Sequence, residues 1–107
     1  MKICNIYSVG HEILYKEYFC KSMSTNFELI SKKYETNTLE EYGQYRFNEF
    51  CLKKISFINE TLNQLNDNET LIYADTDTQF FGNPEKQLLN ELGDYDVAFQ
   101  DDMYKNY

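Results

Sequence analysis

The chain has 107 residues and a formal net charge of −8, with 42% apolar residues, many Tyr and Phe and no Trp. That is enough apolar area to offset chain entropy in one domain but not in two, which excludes a wholly disordered chain. The acidic balance lacks the basic footprint of sequence-independent nucleic-acid binding and does not suit anionic membrane surfaces, whereas a negative field suits a divalent cation.

Met1–Tyr7 contains no apolar run of signal-peptide length, and no stretch approaches the roughly 18 apolar residues of a membrane span. Cys4, Cys20 and Cys51 form no CxxC pair or Cys/His cluster, so no zinc site is expected. Each lies in an apolar stretch, where a free thiol acts as a small hydrophobe. Reduced thiols suit a reducing compartment, and we expect a cytoplasmic protein.

Residues 2–8 are apolar and β-compatible and precede Gly10, which predicts a strand and a loop. Leu14, Tyr18 and Phe19 recur at helical spacing and predict a helix over about 11–23, with His11 in the exposed loop before it. Phe27–Lys33 reads as a second strand, and the polar residues 34–44 as a loop.

Phe47, Phe50, Cys51, Ile55, Ile58, Leu62 and Leu65 recur in steps of three and four and predict a long amphipathic helix. Lys53, Lys54, Asn59, Glu60 and Asn63 then fall on its solvated face, and Asn66-Asp67-Asn68 ends it with turn chemistry.

Leu71-Ile72-Tyr73-Ala74 is an unbroken apolar run, the pattern of a central parallel strand covered on both faces. Asn83 and Pro84 suit the start of a short helix carrying Leu88, Leu89 and Leu92, and Gly93 suits its end. Tyr95–Phe99 reads as a last strand. The order βαβ, loop, αβαβ implies a single α/β domain over 1–107 with a mostly parallel sheet and right-handed crossovers. With about four strands and a stop at Tyr107, after the Asp101-Asp102 pair, we expect a truncated domain whose open edge allows self-association.

In open α/β sheets ligands bind beyond the carboxyl ends of the strands, where Asp75 and Asp77 fall. In an extended segment residues i and i+2 project to one side, so both carboxylates can face one site. Their mutual repulsion is relieved by a hard divalent cation, and Mg²⁺ or Mn²⁺ held this way keeps positions for phosphate oxygens.

The segment Leu71-Ile72-Tyr73-Ala74-Asp75-Thr76-Asp77-Thr78-Gln79-Phe80-Phe81-Gly82-Asn83-Pro84 resembles the DxD segment of nucleotide-diphospho-sugar transferases. There an apolar strand runs into D-x-D, an apolar pair and a Pro-led helix. Lys54-Ile55-Ser56-Phe57-Ile58 looks like the helix before that motif, and Tyr95–Asp102 like the strand after it. The resemblance implies the Rossmann-like GT-A fold, a UDP- or GDP-sugar donor, Mn²⁺ or Mg²⁺, and transfer of a hexose-type sugar to a glycan, protein or lipid acceptor. It implies Asp77 as direct metal ligand, and Asp75 as a contact to the ribose or a second holder of the metal through water. Thr76 lies between them in the nucleotide-sugar site, Tyr7 and Ser8 near the base, and Lys54 near the diphosphate. The second half of such enzymes, with its acceptor contacts and catalytic base, has no counterpart in these residues.

Two other classes compete. A haloacid-dehalogenase-like Mg²⁺-dependent phosphatase also places D-x-D after an apolar strand, with Asp75 as nucleophile. Gln79 and Phe80, after Thr78, depart from the Thr or Val and then Leu that it favours. The other is a catalytically dead module that binds a nucleotide-sugar or a partner chain. A calcium loop starting at Asp75 fails, because Phe80 and Lys86 stand where Gly and Glu are required.

Overall fold

The computed structural model describes residues 1–23, 26–35 and 45–100. Strand β1 (Lys2–Ser8) leads through a 3₁₀ turn (Val9–His11) into α1 (Glu12–Leu14) and a π-helical turn (Tyr15–Cys20). Strand β2 (Glu28–Tyr34), helix α2 (Tyr45–Asn63), strand β3 (Leu71–Tyr73) and helix α3 (Glu85–Leu92) follow. Among the described residues the sheet has three strands in the order β2-β1-β3. Both pairings are parallel, β1 to β2 from Lys2↔Glu28 to Ser8↔Tyr34 and β1 to β3 from Lys2↔Leu71 to Cys4↔Tyr73. The small α/β architecture with a parallel sheet thus agrees with the sequence.

Alternation along β1 divides the core between the two faces of the sheet. Ile3 packs on one face with Phe19, Phe27 and Ala74, flanked by Tyr15, Met23, Ile72 and Phe80. Cys4 and Ile6 pack on the other with Phe57, flanked by Phe50, Ile58, Leu71 and Tyr73. The first helical segment therefore covers one face and α2 the other, the layering that two parallel crossovers impose. No helix among the described residues is long and apolar enough to cross a membrane.

The structure revises several expectations. Among the described strands β1 is central, with Ile3 to Ser8 all buried, whereas β3 lies at an edge and its residues are partly buried. Tyr95–Phe99 is not a strand: it pairs with no described strand, and Tyr95 and Phe99 are 78% and 90% exposed. Its alternating apolar residues meet no described surface that could bury them. In the first helical segment Tyr15 and Phe19 turn inward, while Leu14 and Tyr18 lie on the exposed side.

In α2 Phe47, Phe50, Cys51, Ile58 and Leu65 of the expected inward stripe are partly buried, and only Ile55 and Leu62 depart from it. Phe50, Phe57, Ile58 and Thr61 are buried or partly buried, whereas Ile55 and Leu62 are exposed. Apolar residues occupy two overlapping stripes at helical spacing, and contact with the sheet selects between them. Lys54 consequently lies on the sheet-facing side, four residues after Phe50 and three before Phe57. Residues 36–44, most of the expected loop, and the Asp101-Asp102 pair lie outside the described residues.

Candidate functional site

The strand order places a topological switch point between β1 and β3. From β1 the chain crosses one face to β2 on one side, then returns over the opposite face to β3 on the other. At such a reversal of strand order, ligands of open α/β sheets bind beyond the carboxyl ends of the two strands; here the chain after β3 returns to the face of the first helical segment, where Phe80 packs on Phe19 and Phe27. Ser8 ends one of these strands, and Ala74-Asp75-Thr76-Asp77 follows the other.

Inward and outward residues alternate through that segment. Ala74 and Thr76 are buried, and Asp75 and Asp77 are exposed. The backbone is not simply extended, as the i, i+2 argument assumed: the Thr78 N–H donates to the Asp75 carbonyl at 3.0 Å and closes a turn. The two carboxylates still reach solvent together because Thr76 between them is tied down. Its hydroxyl lies 3.4 Å from the Ile6 carbonyl, to which it donates, and accepts from Asn5 Nδ2 at 3.3 Å.

Asp75 keeps the parity of Leu71 and Tyr73, the face covered by α2, and so meets Lys54. The Lys54 ammonium lies 2.8 Å from Asp75 Oδ1. It also lies 5.5 Å from the Tyr73 ring centroid and 6.0 Å from that of Phe50. The carboxylate is 58% exposed, which limits this pair to about 0–1 kcal/mol. Burial drives the Tyr73 phenol far above its ordinary pKa, and the charge of Asp75 adds to the shift. The phenol therefore stays neutral beside the site.

The structure brings Asp75, Thr76, Asp77 and Lys54 to one strand end. Tyr7 and Ser8 are nearby in the fold but turned inward. Tyr7 stacks on Tyr15 with ring centroids 3.8 Å apart, and Ser8 Oγ lies 2.8 Å from His11 Nδ1. His11 is thus half-buried in the 3₁₀ turn rather than a free loop residue. Among the described residues no three His, Cys, Asp or Glu side chains converge as a metal cage. A shallow depression of about 310 Å³ lies along α3, lined by Asn83, Glu85, Lys86, Leu89 and Asn90, and includes none of the site residues.

Sequence reasoning missed Asn5. It is fully buried in β1, and its Nδ2 donates to the Ala74 carbonyl at 2.8 Å as well as to Thr76. Among the described residues its Oδ1 has no hydrogen-bond partner. The available signal was an asparagine, a residue depleted in strands, between Cys4 and Ile6 in an apolar run.

No protein-family model, curated protein or solved structure matches the chain.

Proposed function

We propose that the chain is the donor-binding part of a glycosyltransferase, holding the diphosphate of a UDP- or GDP-sugar through Mn²⁺ or Mg²⁺ at Asp75 and Asp77. One observation carries this reading. Two carboxylates flank a tethered, buried Thr76 and face solvent at the switch point of a parallel sheet. Elsewhere in a fold, paired carboxylates are a solvated turn, but these stand beyond the carboxyl end of a parallel strand, the place where such sheets bind ligands.

The donor set fits the cation. Mg²⁺ is commonly held by one or two carboxylates and completes its shell with water and phosphate oxygens, so two Asp side chains without a third ligand suit a cation shared with a diphosphate. The chemistry supplied by such a cation is neutralisation of the charge that develops on a nucleoside-diphosphate leaving group. Asp77, which is exposed, is the direct ligand in this reading. Asp75 divides its charge between the cation or ribose and Lys54, whose ammonium at 2.8 Å is within reach of a bound phosphate. Tyr7 and Ser8 are buried and shape the end of β1 rather than touch the ligand. The three cysteines are unpaired, which suits a reducing compartment such as the cytoplasm.

The test is a thermal-shift titration with UDP-, GDP- and CMP-sugars, with and without Mn²⁺, on wild type and Asp77→Asn. A ligand present at a hundred times its Kd stabilises the folded state by about 2.7 kcal/mol. A Mn²⁺-dependent rise with one donor class, lost in Asp77→Asn, is expected. A folded protein whose melting temperature is moved by none of them refutes the proposal.

A further inference from the structure

Asn5 breaks the rules of the strand that holds it. It sits at the middle of the central strand, fully buried, with no partner for Oδ1 among the described residues. An apolar residue of similar size would fill that position without leaving a polar atom unmatched. Such a local conflict in a core strand points to a demand other than packing.

Its amide meets such a demand. The β1–β3 register ends at Cys4↔Tyr73, and the Ala74 N–H adds one more bond, to the Cys4 carbonyl at 3.3 Å. Beyond that point side chains take over from the ladder. Asn5 Nδ2 holds the Ala74 carbonyl and the Thr76 hydroxyl, and that hydroxyl reaches the Ile6 carbonyl. All three contacts are buried, and they join residues about 70 positions apart.

We propose that Asn5 and Thr76 form a buried latch that sets the Asp75–Thr78 turn, making Asn5 a positioning residue for the Asp75 and Asp77 carboxylates. The functional half of this inference rests on the cation and diphosphate site proposed above, whereas the latch itself does not.

The first readout is amide exchange by NMR at Thr78, whose N–H closes the turn, with the amides of β1 as internal standard for global opening. In Thr76→Val and Asn5→Leu, Thr78 exchange accelerates about tenfold more than the β1 amides, the effect of losing one or two hydrogen bonds. Thr76→Ser keeps the hydroxyl and stays near wild type. Unchanged Thr78 exchange, or equal acceleration at Thr78 and β1, overturns the latch. Should Asn5→Leu fail to fold, the Val and Ser variants of Thr76 decide the matter.

The second readout is Mn²⁺ binding in the presence of UDP, and separately of GDP, followed by the paramagnetic resonance of free Mn²⁺. Affinity is expected to fall about tenfold in Thr76→Val, by the same loss of hydrogen bonds, and to be retained in Thr76→Ser. Wild-type affinity in Thr76→Val overturns the positioning role while leaving the cation site standing. A wild type that binds no Mn²⁺ overturns the cation site and with it the role of Asn5 there, whatever the exchange data say of the latch.

Discussion

Phe19 is the side chain on which the larger half of the core turns, and replacing it tests the fold directly. It is fully buried, its ring centroid is 5.6 Å from that of Phe80 and 5.9 Å from that of Tyr15, and it packs with Ile3, Phe27 and Ala74. Truncation of a buried Phe to Ala removes its transfer free energy and leaves a cavity, at a cost of about 3–5 kcal/mol. A domain of this length has a total stability of roughly 5–15 kcal/mol, so Phe19→Ala takes a large share of it. Phe19→Leu keeps most of the volume and should cost about 1–2 kcal/mol, lowering the melting temperature by roughly 5–15 °C. The control is Ile13→Ala, at a side chain 74% exposed in the same helical segment, which should stay within about 0.5 kcal/mol of wild type. Urea melts of the three variants give the comparison, with an unchanged slope as the sign that the two-state transition is intact. Equal small losses for Phe19→Ala and Ile13→Ala would refute the packing described for that face of the sheet.

Three further outcomes follow from particular contacts. Burial pushes the Cys4 thiol up to about 11, so at pH 8 it is almost wholly protonated, and a thiol reagent should label the half-buried Cys20 and Cys51 while Cys4 reacts only as urea unfolds the chain. The Glu69 carboxyl lies below its ordinary pKa, through the Asn66 backbone N–H at 3.0 Å and then Lys2 at 3.0 Å. A depressed folded pKa gives stability that is present above the unfolded value and lost as pH falls through the folded one, so Glu69→Gln should flatten the acid limb of stability measured below about pH 4.5. Gly93 ends α3 at φ +55°, ψ −128°, with the nearest atom to an added Cβ a comfortable 3.7 Å away. Gly93→Ala should therefore destabilise through backbone strain alone, by about 1–3 kcal/mol in a thermal melt.

Much of this architecture was legible because its signals are local. Hydrophobic period located α2, an unbroken apolar run located β3, and Pro84 and Gly93 bracketed α3, each within a few residues of the observed bounds. Asp75 and Asp77 could be placed at a strand end for the same reason, since the strand and the motif are contiguous in the chain.

What the sequence left open depends on which surfaces meet. α2 carries two overlapping apolar stripes, and only contact with the sheet turns Phe57 and Thr61 inward, leaves Ile55 out and swings Lys54 onto Asp75. Tyr95–Phe99 has strand-like alternation, but a strand exists only where a neighbour completes its hydrogen bonds, and no described strand does so. The central place of β1 and the edge place of β3 come from the order of pairing, which no single segment encodes. The hold of Asn5 on Thr76 joins residues 71 apart. Period, propensity and turn chemistry act over a few residues along the chain, whereas burial and side-chain pairing depend on neighbours that only the folded sheet brings together.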